Sequence, residues 1–342
     1  MAIIDADAHV LETNKTWEYM EGAEKAYRPQ IVTAQNGTGD QGEYWLVDGR
    51  LYIKSDNVGK DTPEESREMA DVSSRLRHMD EMGVAIQVLY PTIFLRPVTD
   101  KPEVELALFK SYNRWLCDIW KQGQDRLRWV ATMPLLSMDE SLKELEFVLQ
   151  YGACGVYVPG LIGDRRLSDP YFTPLYEALS DAGIPLCVHS ATGSFTQHDL
   201  FYDEPGFNKF KLAVVGSFHT VIWDRIPERF PRLRIGFIEV SAQWVPYVFH
   251  DLAKRFRQKR GIELSRSYMK DNRIYVACQT DDDLDYVLEY TGDDTIVIGT
   301  DYGHHDTSSE IEALQKLQDD GKVSPESVAK ILDDNPRALY GF

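Results

Sequence analysis

Cysteine is scarce and scattered in this sequence. Four residues in 342, Cys117, Cys154, Cys187 and Cys278, each lie within an apolar run. That spacing lacks the close pairs of a zinc-thiolate site and the density of a disulfide scaffold, and points to buried, reduced thiols. Long apolar runs are missing too. Nothing approaches the ~20 residues of a membrane span, and the start lacks the basic-then-apolar form of a secretion signal. A cytoplasmic location with no membrane attachment is therefore expected, and the sequons at Asn14 and Asn36 then carry no glycan. Positive charge is in deficit. Lys and Arg number 37 against 55 Asp and Glu, for a formal net charge of -18. Such a surface repels phosphate backbones, so nucleic acid is not an expected partner. No G-x-S-x-G elbow occurs, which weakens a serine-hydrolase reading. The stretch "GTGDQG" at 37–42 has the letters of a dinucleotide fingerprint, yet it neither follows a strand nor opens a helix, so no nucleotide cofactor is expected.

What is present is a repeated grammar. Helix-period segments alternate with short apolar runs, and hydrophobic residues make up 43% of the chain, enough for a full core. Residues 66–82 carry Met69, Val72, Leu76 and Met79 at helical spacing and stop at Gly83, followed at once by "VAIQVLY". Ser137 and Glu140 announce the next helix as a capping box. Gly183 ends another, and Pro185 opens the strand "LCVHS". With "AIIDADAH", "RWVATMP", "ACGVYVP", "LRIGFIEV", "RIYVACQT" and "TIVIGTDY", eight strands are expected. Two closing helices are read at 308–319 and 325–339. Eight near-continuous apolar strands between helices imply a parallel sheet covered on its outer face, and eight closes a (β/α)8 TIM-like barrel. An open doubly wound sheet is the competitor. The fold is therefore read as one α/β barrel domain over 1–342. A flanking insertion follows strand one, at approximately 11–65, and its "YWLVDGRLYI" forms a hairpin turning at Asp48 and Gly49.

In such barrels chemistry sits at the C-terminal ends of the strands. Strand one ends "DADAH", and alternation puts Asp5, Asp7 and His9 on one face. Taken alone, that is also the pattern of a solvated acidic edge. Strand five ends with His189, strand six with Glu239 and strand eight with Asp301. Two or three buried carboxylates in one mouth cost several kcal/mol per uncompensated charge, and no Lys or Arg lies in these strand ends. A divalent cation compensates them. Asp7, His9, His189 and Asp301 offer nitrogen and oxygen ligands suited to Zn(II) or Mn(II), with Fe(II) a further choice. Asp5, one step deeper, reads as a buried supporting group.

The segments "DADAHVLE", "PLCVHSATG", "FPRLRIGFIEVSAQWVP", "VIGTDYGHHD" and "KILDDNPRALYGF", in this order, resemble the amidohydrolase superfamily. Within it they are most similar to the amidohydrolase-2 group, which includes aminocarboxymuconate semialdehyde decarboxylase and aromatic-acid decarboxylases. The resemblance implies that Asp7 and His9 stand where that group has His-x-His or Glu-x-His, that His189 is its strand-five metal histidine, and that Asp301 is its strand-eight aspartate. Glu239 replaces a histidine common at the end of strand six, where it serves in acid/base chemistry. One metal is expected by default. Glu239 with His304 or His305 is the candidate set for a second metal or a substrate contact. Glu12 is expected to orient His9 through its other ring nitrogen, and His219 to support the site or pack structurally. A homodimer is suggested by the resemblance.

The leading functional expectation is a metal-dependent enzyme that uses a metal-bound water to hydrolyse a small carbonyl- or carboxyl-bearing molecule, with Asp301 and Glu239 as acid/base groups. The Glu239 replacement ranks hydrolysis first. The alternative is metal-dependent decarboxylation of an aromatic or unsaturated acid. Behind these stand non-haem iron oxygenation and a barrel that only binds. Trp223, Trp244 and Tyr302 are candidates for an aromatic-acid pocket, and equally for core.

Overall fold

A computed structural model describes residues 2–35 and 41–342. The Asn36 sequon and most of "GTGDQG" fall outside the described residues. Eight parallel strands follow one another in space in chain order: β1 (Ile4–His9), β2 (Ile86–Tyr90), β3 (Leu127–Thr132), β4 (Ala153–Pro159), β5 (Leu186–His189), β6 (Ile235–Ile238), β7 (Ile274–Cys278) and β8 (Ile296–Ile298). The sheet's two edges meet just beyond β8, where Asp301 N donates to Asp7 O at 3.0 Å and His9 N to Tyr302 O at 2.9 Å. The result is the (β/α)8 barrel that the eight apolar runs implied. Almost every strand residue is buried, because helices cover the outer face and side chains fill the inner one.

Between the strands run α1 (Val72–Glu81), α2 (Pro102–Gln122), α3 (Met138–Gln150), α4 (Thr173–Ala182), α5 (Leu212–Trp223), α6 (Val245–Arg260) and α7 (Leu284–Thr291). α2 shows why they form. Pro102 sits in the first turn, where its missing N–H costs nothing, and Val104, Leu108, Tyr112, Trp115 and Ile119 make one buried stripe.

Three boundaries differ from the sequence reading. The helix expected at 66–82 starts at Val72, because Asp71 caps Ser73 N at 2.9 Å and Met69 turns left-handed at φ 52. Glu64–Arg67 is a separate helical turn. Ser137 does occupy the N-cap of α3, but its side chain makes no capping bond, and Glu140 pairs with Lys143 at 2.7 Å instead. The helix expected from Ser308 begins at Ala313, since the Ser308 and Ser309 hydroxyls are committed to Glu239 O and the Asp301 carboxylate. The last helical segment runs 325–340, with a π turn at Lys330–Asp334 that buries Ile331 and Leu332.

The segment after β1 contributes a three-stranded antiparallel sheet, Gln30–Gln35, Gln41–Val47 and Arg50–Ile53. Asp48 (φ 45) and Gly49 (φ 82) make its hairpin turn, whose positive φ values match the strands' twist. Tyr52 donates to Pro97 O at 2.6 Å and Arg50 pairs with Asp199 at 3.0 Å, fixing this sheet against the loops after β2 and β5.

Candidate metal centre

Asp5, Asp7 and His9 are all buried inside the barrel, not exposed at an edge. Pairing of β1 with β2 shifts register between Asp5 and Ala8, a local irregularity of the kind that re-aims side chains. Asp5 lies beneath the mouth and accepts from Gln87 Nε2 (2.9 Å), Thr300 N (2.9 Å) and Thr300 Oγ1 (2.7 Å). Burial pushes its carboxyl up to about 6, although those three bonds pull the other way. A folded-state value above the unfolded one stabilises the protein fully below pH ~4, and that contribution is lost as pH rises through about 6. Asp5→Asn is therefore expected to flatten this part of the pH–stability curve, read from urea midpoints across that window.

Backbone approach at the site is tight. A Cβ on Gly299 would stand 2.3 Å from the Asp7 Cβ. Gly299→Ala is expected to destabilise by roughly 1–3 kcal/mol and to displace Asp7, as thermal melts with and without metal would show.

His9 donates Nδ1–H to Pro91 O at 2.9 Å, which leaves Nε2 as a bare lone pair. That nitrogen stands 3.4 Å from Asp7 Oδ1, 3.5 Å from Glu239 Oε2 and 3.3 Å from Asp301 Oδ1, and makes no hydrogen bond. His189 Nε2 lies 3.2 Å from Asp7 Oδ1 and 3.1 Å from Glu239 Oε2. Glu239 Oε2 is itself buried and without a hydrogen-bond partner. Orphaned acceptors converging on one point repel each other unless a cation sits among them. Without one, protons must do the work. Burial, reinforced by Asp301, pushes Glu239 well up. Burial opposes protonation of His9, but Asp7, Glu239 and Asp301 hold it well above its usual range. Burial alone would raise Asp7, and His189 and His9 bring it down instead. Burial lowers His189 and raises Asp301.

The residues therefore fit a divalent ion. Two overlapping tetrads converge, Asp7–His9–His189–Glu239 and His9–Glu239–Asp301–His304, each with ligand atoms within 4.8 Å of one another. Both use His9, whose single free lone pair binds one ion only. That sharing favours one metal position over two.

Glu239 (φ 62) and Asp301 (φ 52) both adopt the left-handed backbone region, a strain of order 1–3 kcal/mol each that surrounding structure must hold. Asp282 helps to hold the first. It accepts from Ala242 N and Gln279 N, each at 2.8 Å, and from the Ser241 hydroxyl, tying the loops after β6 and β7 together. His304 steadies the second, with Nδ1 2.7 Å from Asp301 Oδ1 and Nε2 2.9 Å from Thr92 Oγ1. The Thr92 hydroxyl gives its hydrogen to Val10 O, so it accepts from His304 Nε2–H. A proton must then lie between His304 Nδ1 and Asp301.

The structure thus gathers Asp7, His9, His189, Glu239, Asp301 and His304. It does not bring in the rest. His305 is exposed, and its backbone N–H donates to Asn57 O at 3.1 Å. Glu12 does not orient His9. Its two oxygens accept from Thr92 N and Ile93 N, each at 3.0 Å, and the Pro91 carbonyl takes the role expected of it. His219 is half-buried on α5 and pairs with Asp251 on α6 at 3.3 Å, so it does not support the site. Trp223 packs on Phe256 and Trp244 on Phe218, both half-buried against the core, and Tyr302 is buried in it under Arg75. Arg75 itself was missed. It is fully buried, stacks 3.5 Å over Tyr302, donates Nε to Gln87 Oε1 at 2.6 Å and reaches His9 O at 3.1 Å. Its signal was its place on the apolar stripe of α1, between Val72 and Met79.

A barrel of eight parallel strands with clustered imidazoles and carboxylates at its strand ends defines a metal-dependent hydrolase or lyase class. The amidohydrolase family model matches residues 4–342, and the chain belongs to that family, whose members are metal-dependent hydrolases and decarboxylases. It is similar to 2-amino-3-carboxymuconate-6-semialdehyde decarboxylase of Dictyostelium discoideum, 19% identical over 264 residues, 75% of this chain and 70% of the relative. Among solved structures it resembles an amidohydrolase from Mycobacterium avium subsp. paratuberculosis (TM-score 0.78, 20% identity, 100% of this chain and 98% of that one). It also resembles the 5-carboxyvanillate decarboxylase of Novosphingobium aromaticivorans complexed with manganese and 4-hydroxy-3-methoxy-5-nitrobenzoic acid (TM-score 0.66, 20% identity, 82% and 84% covered). No helix among the described residues is long and apolar enough to cross a membrane.

Proposed function

We propose that this protein is a metal-dependent decarboxylase of a small aromatic or unsaturated carboxylic acid, with Asp7, His9, His189, Glu239 and Asp301 holding the ion. The observation that carries this reading is the position of Glu239. The sequence ranks hydrolysis first because Glu239 stands where the family commonly has a histidine, and leaves it open as an acid/base group or a further ligand. Its Oε2 points with Asp7 Oδ1 at the two imidazole Nε2 atoms. As a ligand it adds a third carboxylate, and each anionic ligand weakens the ion's power to acidify water, which hydrolysis needs. An oxygen-rich donor set without thiolate favours Mn(II) over Zn(II), with Fe(II) third.

When bound, a divalent ion supplies charge that holds a substrate carboxylate and an adjacent oxygen. The protein's own residues do the remaining work. As the C–C bond breaks, its electron pair stays on the substrate carbon, CO2 leaves, and that carbon takes a proton. Asp301 is placed to give it, because it shares a proton with His304 across a 2.7 Å Oδ1–Nδ1 hydrogen bond and the far side of the ring is fixed by Thr92. The buried position of these groups excludes competing water. The similarity to two decarboxylases supports the same reading. Buried thiols support a cytoplasmic setting, and a homodimer is proposed on the family resemblance.

The test is incubation of manganese-loaded protein with a panel of ortho-hydroxybenzoic acids and with matched esters and lactones. CO2 release from the acids is the expected result. Hydrolysis of the esters or lactones without CO2 from any acid would overturn the reading.

A further inference from the structure

Beside the metal centre, the loops after β2, β3 and β4 enclose a cavity of about 60 Å³, lined by none of the clustered imidazoles and carboxylates. Its apolar walls are Phe94, Phe109, Met133, Tyr157 and Ile162. Tyr157 joins the two places. Its ring lies 6.0 Å from that of His189, and its hydroxyl is committed to Phe94 O at 2.6 Å. Glu105 is foreign in these walls. It enters from the first turn of α2, is 9% exposed, and among the described residues its side chain makes one hydrogen bond, accepting at Oε2 from Leu136 N at 2.7 Å. Among the described residues no cation pairs with it. Arg96, which also lines the cavity, pairs through Nη1 with Asp56 at 3.0 Å, while its buried Nε has no hydrogen-bond partner.

Burial pushes the Glu105 carboxyl up to about 8, so at neutral pH it carries its proton. With Oε2 accepting from the backbone, the proton belongs on Oε1, which has no protein acceptor among the described residues and stays accessible to a ligand. We infer that the cavity receives an uncharged arm of the substrate bearing a hydrogen-bond acceptor, such as a methoxy or carbonyl oxygen, with the Glu105 carboxyl as its donor. The assignment rests on the carboxylic-acid reading above and gives that acid its second end. Size limits the occupant. A water's share of liquid volume is about 30 Å³, so the cavity takes a short substituent and not a second ring.

The test is calorimetric titration of manganese-loaded protein with 2-hydroxy-3-methoxybenzoate and its isostere 2-hydroxy-3-ethylbenzoate. Wild-type protein is expected to bind the methoxy compound roughly three- to tenfold more tightly. Glu105→Gln should keep that preference, since the amide oxygen still accepts from Leu136 N and its nitrogen donates to the ligand. Glu105→Leu should erase it with the thermal melt retained. Equal affinities in the wild type, failure of both compounds to bind, or a preference surviving in Glu105→Leu would overturn the assignment. So would loss of the preference in Glu105→Gln, which marks an ionised carboxylate that seeks a cationic arm. CO2 release measured on the same samples separates the two readings. The preference without CO2 from any acid keeps the cavity assignment and sinks the decarboxylase, and CO2 without the preference does the reverse.

Discussion

Asp301→Asn is expected to leave the circular-dichroism spectrum unchanged and to lower kcat by about 10²–10⁴-fold, the range for loss of a positioned proton donor. Two features of the site set that size. The Asp301 carboxylate shares a proton with His304 Nδ1 at 2.7 Å, and an amide cannot pass that proton on. The amide oxygen can still face the ion, and Asp7, His9, His189 and Glu239 remain in place, so most bound metal should be retained. A kcat loss with KM little changed and metal still present therefore isolates the proton function. Full turnover in the variant would remove Asp301 from the mechanism. His304→Gln should fall between the two, because it keeps a hydrogen bond to Asp301 without the transferable proton.

Chelation should produce the second large effect. An ion that binds the folded state alone stabilises it by about 4 kcal/mol at a thousand times its Kd, which for a domain of this size lowers Tm by roughly 5–10 °C when the ion is removed. The cluster explains why the loss is real and not a formality. With no cation, His9 Nε2 and Glu239 Oε2 are buried acceptors facing acceptors, and protons have to be taken up to relieve them. The chelated protein should accordingly regain stability as pH falls from neutral, as His9 and Glu239, both held well above their usual values, fill with protons. Identical melting curves with and without manganese would show that this cluster does not hold an ion.

Strand-level information was legible because it is local. The two-residue period of "DADAH" put Asp5, Asp7 and His9 on one face, and the apolar runs ending in His189, Glu239 and Asp301 marked the other contributors. What failed depended on backbone groups that a sequence does not display. Glu12 was assigned to His9, but the Pro91 carbonyl already occupies Nδ1, and the backbone N–H groups of Thr92 and Ile93 claim the Glu12 carboxylate. Met69 takes a left-handed turn that splits an otherwise continuous helical pattern, so α1 begins at Val72. Arg75 was not singled out, although it sits on the apolar stripe of α1 and is buried. The direction of Glu239 was also beyond the sequence. Its residue type suits either acid/base chemistry or metal binding, and in the fold its backbone is left-handed and its Oε2 lies 3.1 Å from His189 Nε2.

The most direct measurement is anomalous diffraction at the manganese edge from crystals of the metal-loaded protein. The expected result is a single peak per chain, within bonding distance of His9 Nε2, His189 Nε2 and Glu239 Oε2. No peak among those atoms, or a peak held elsewhere on the chain, would contradict the metal centre and every function built on it.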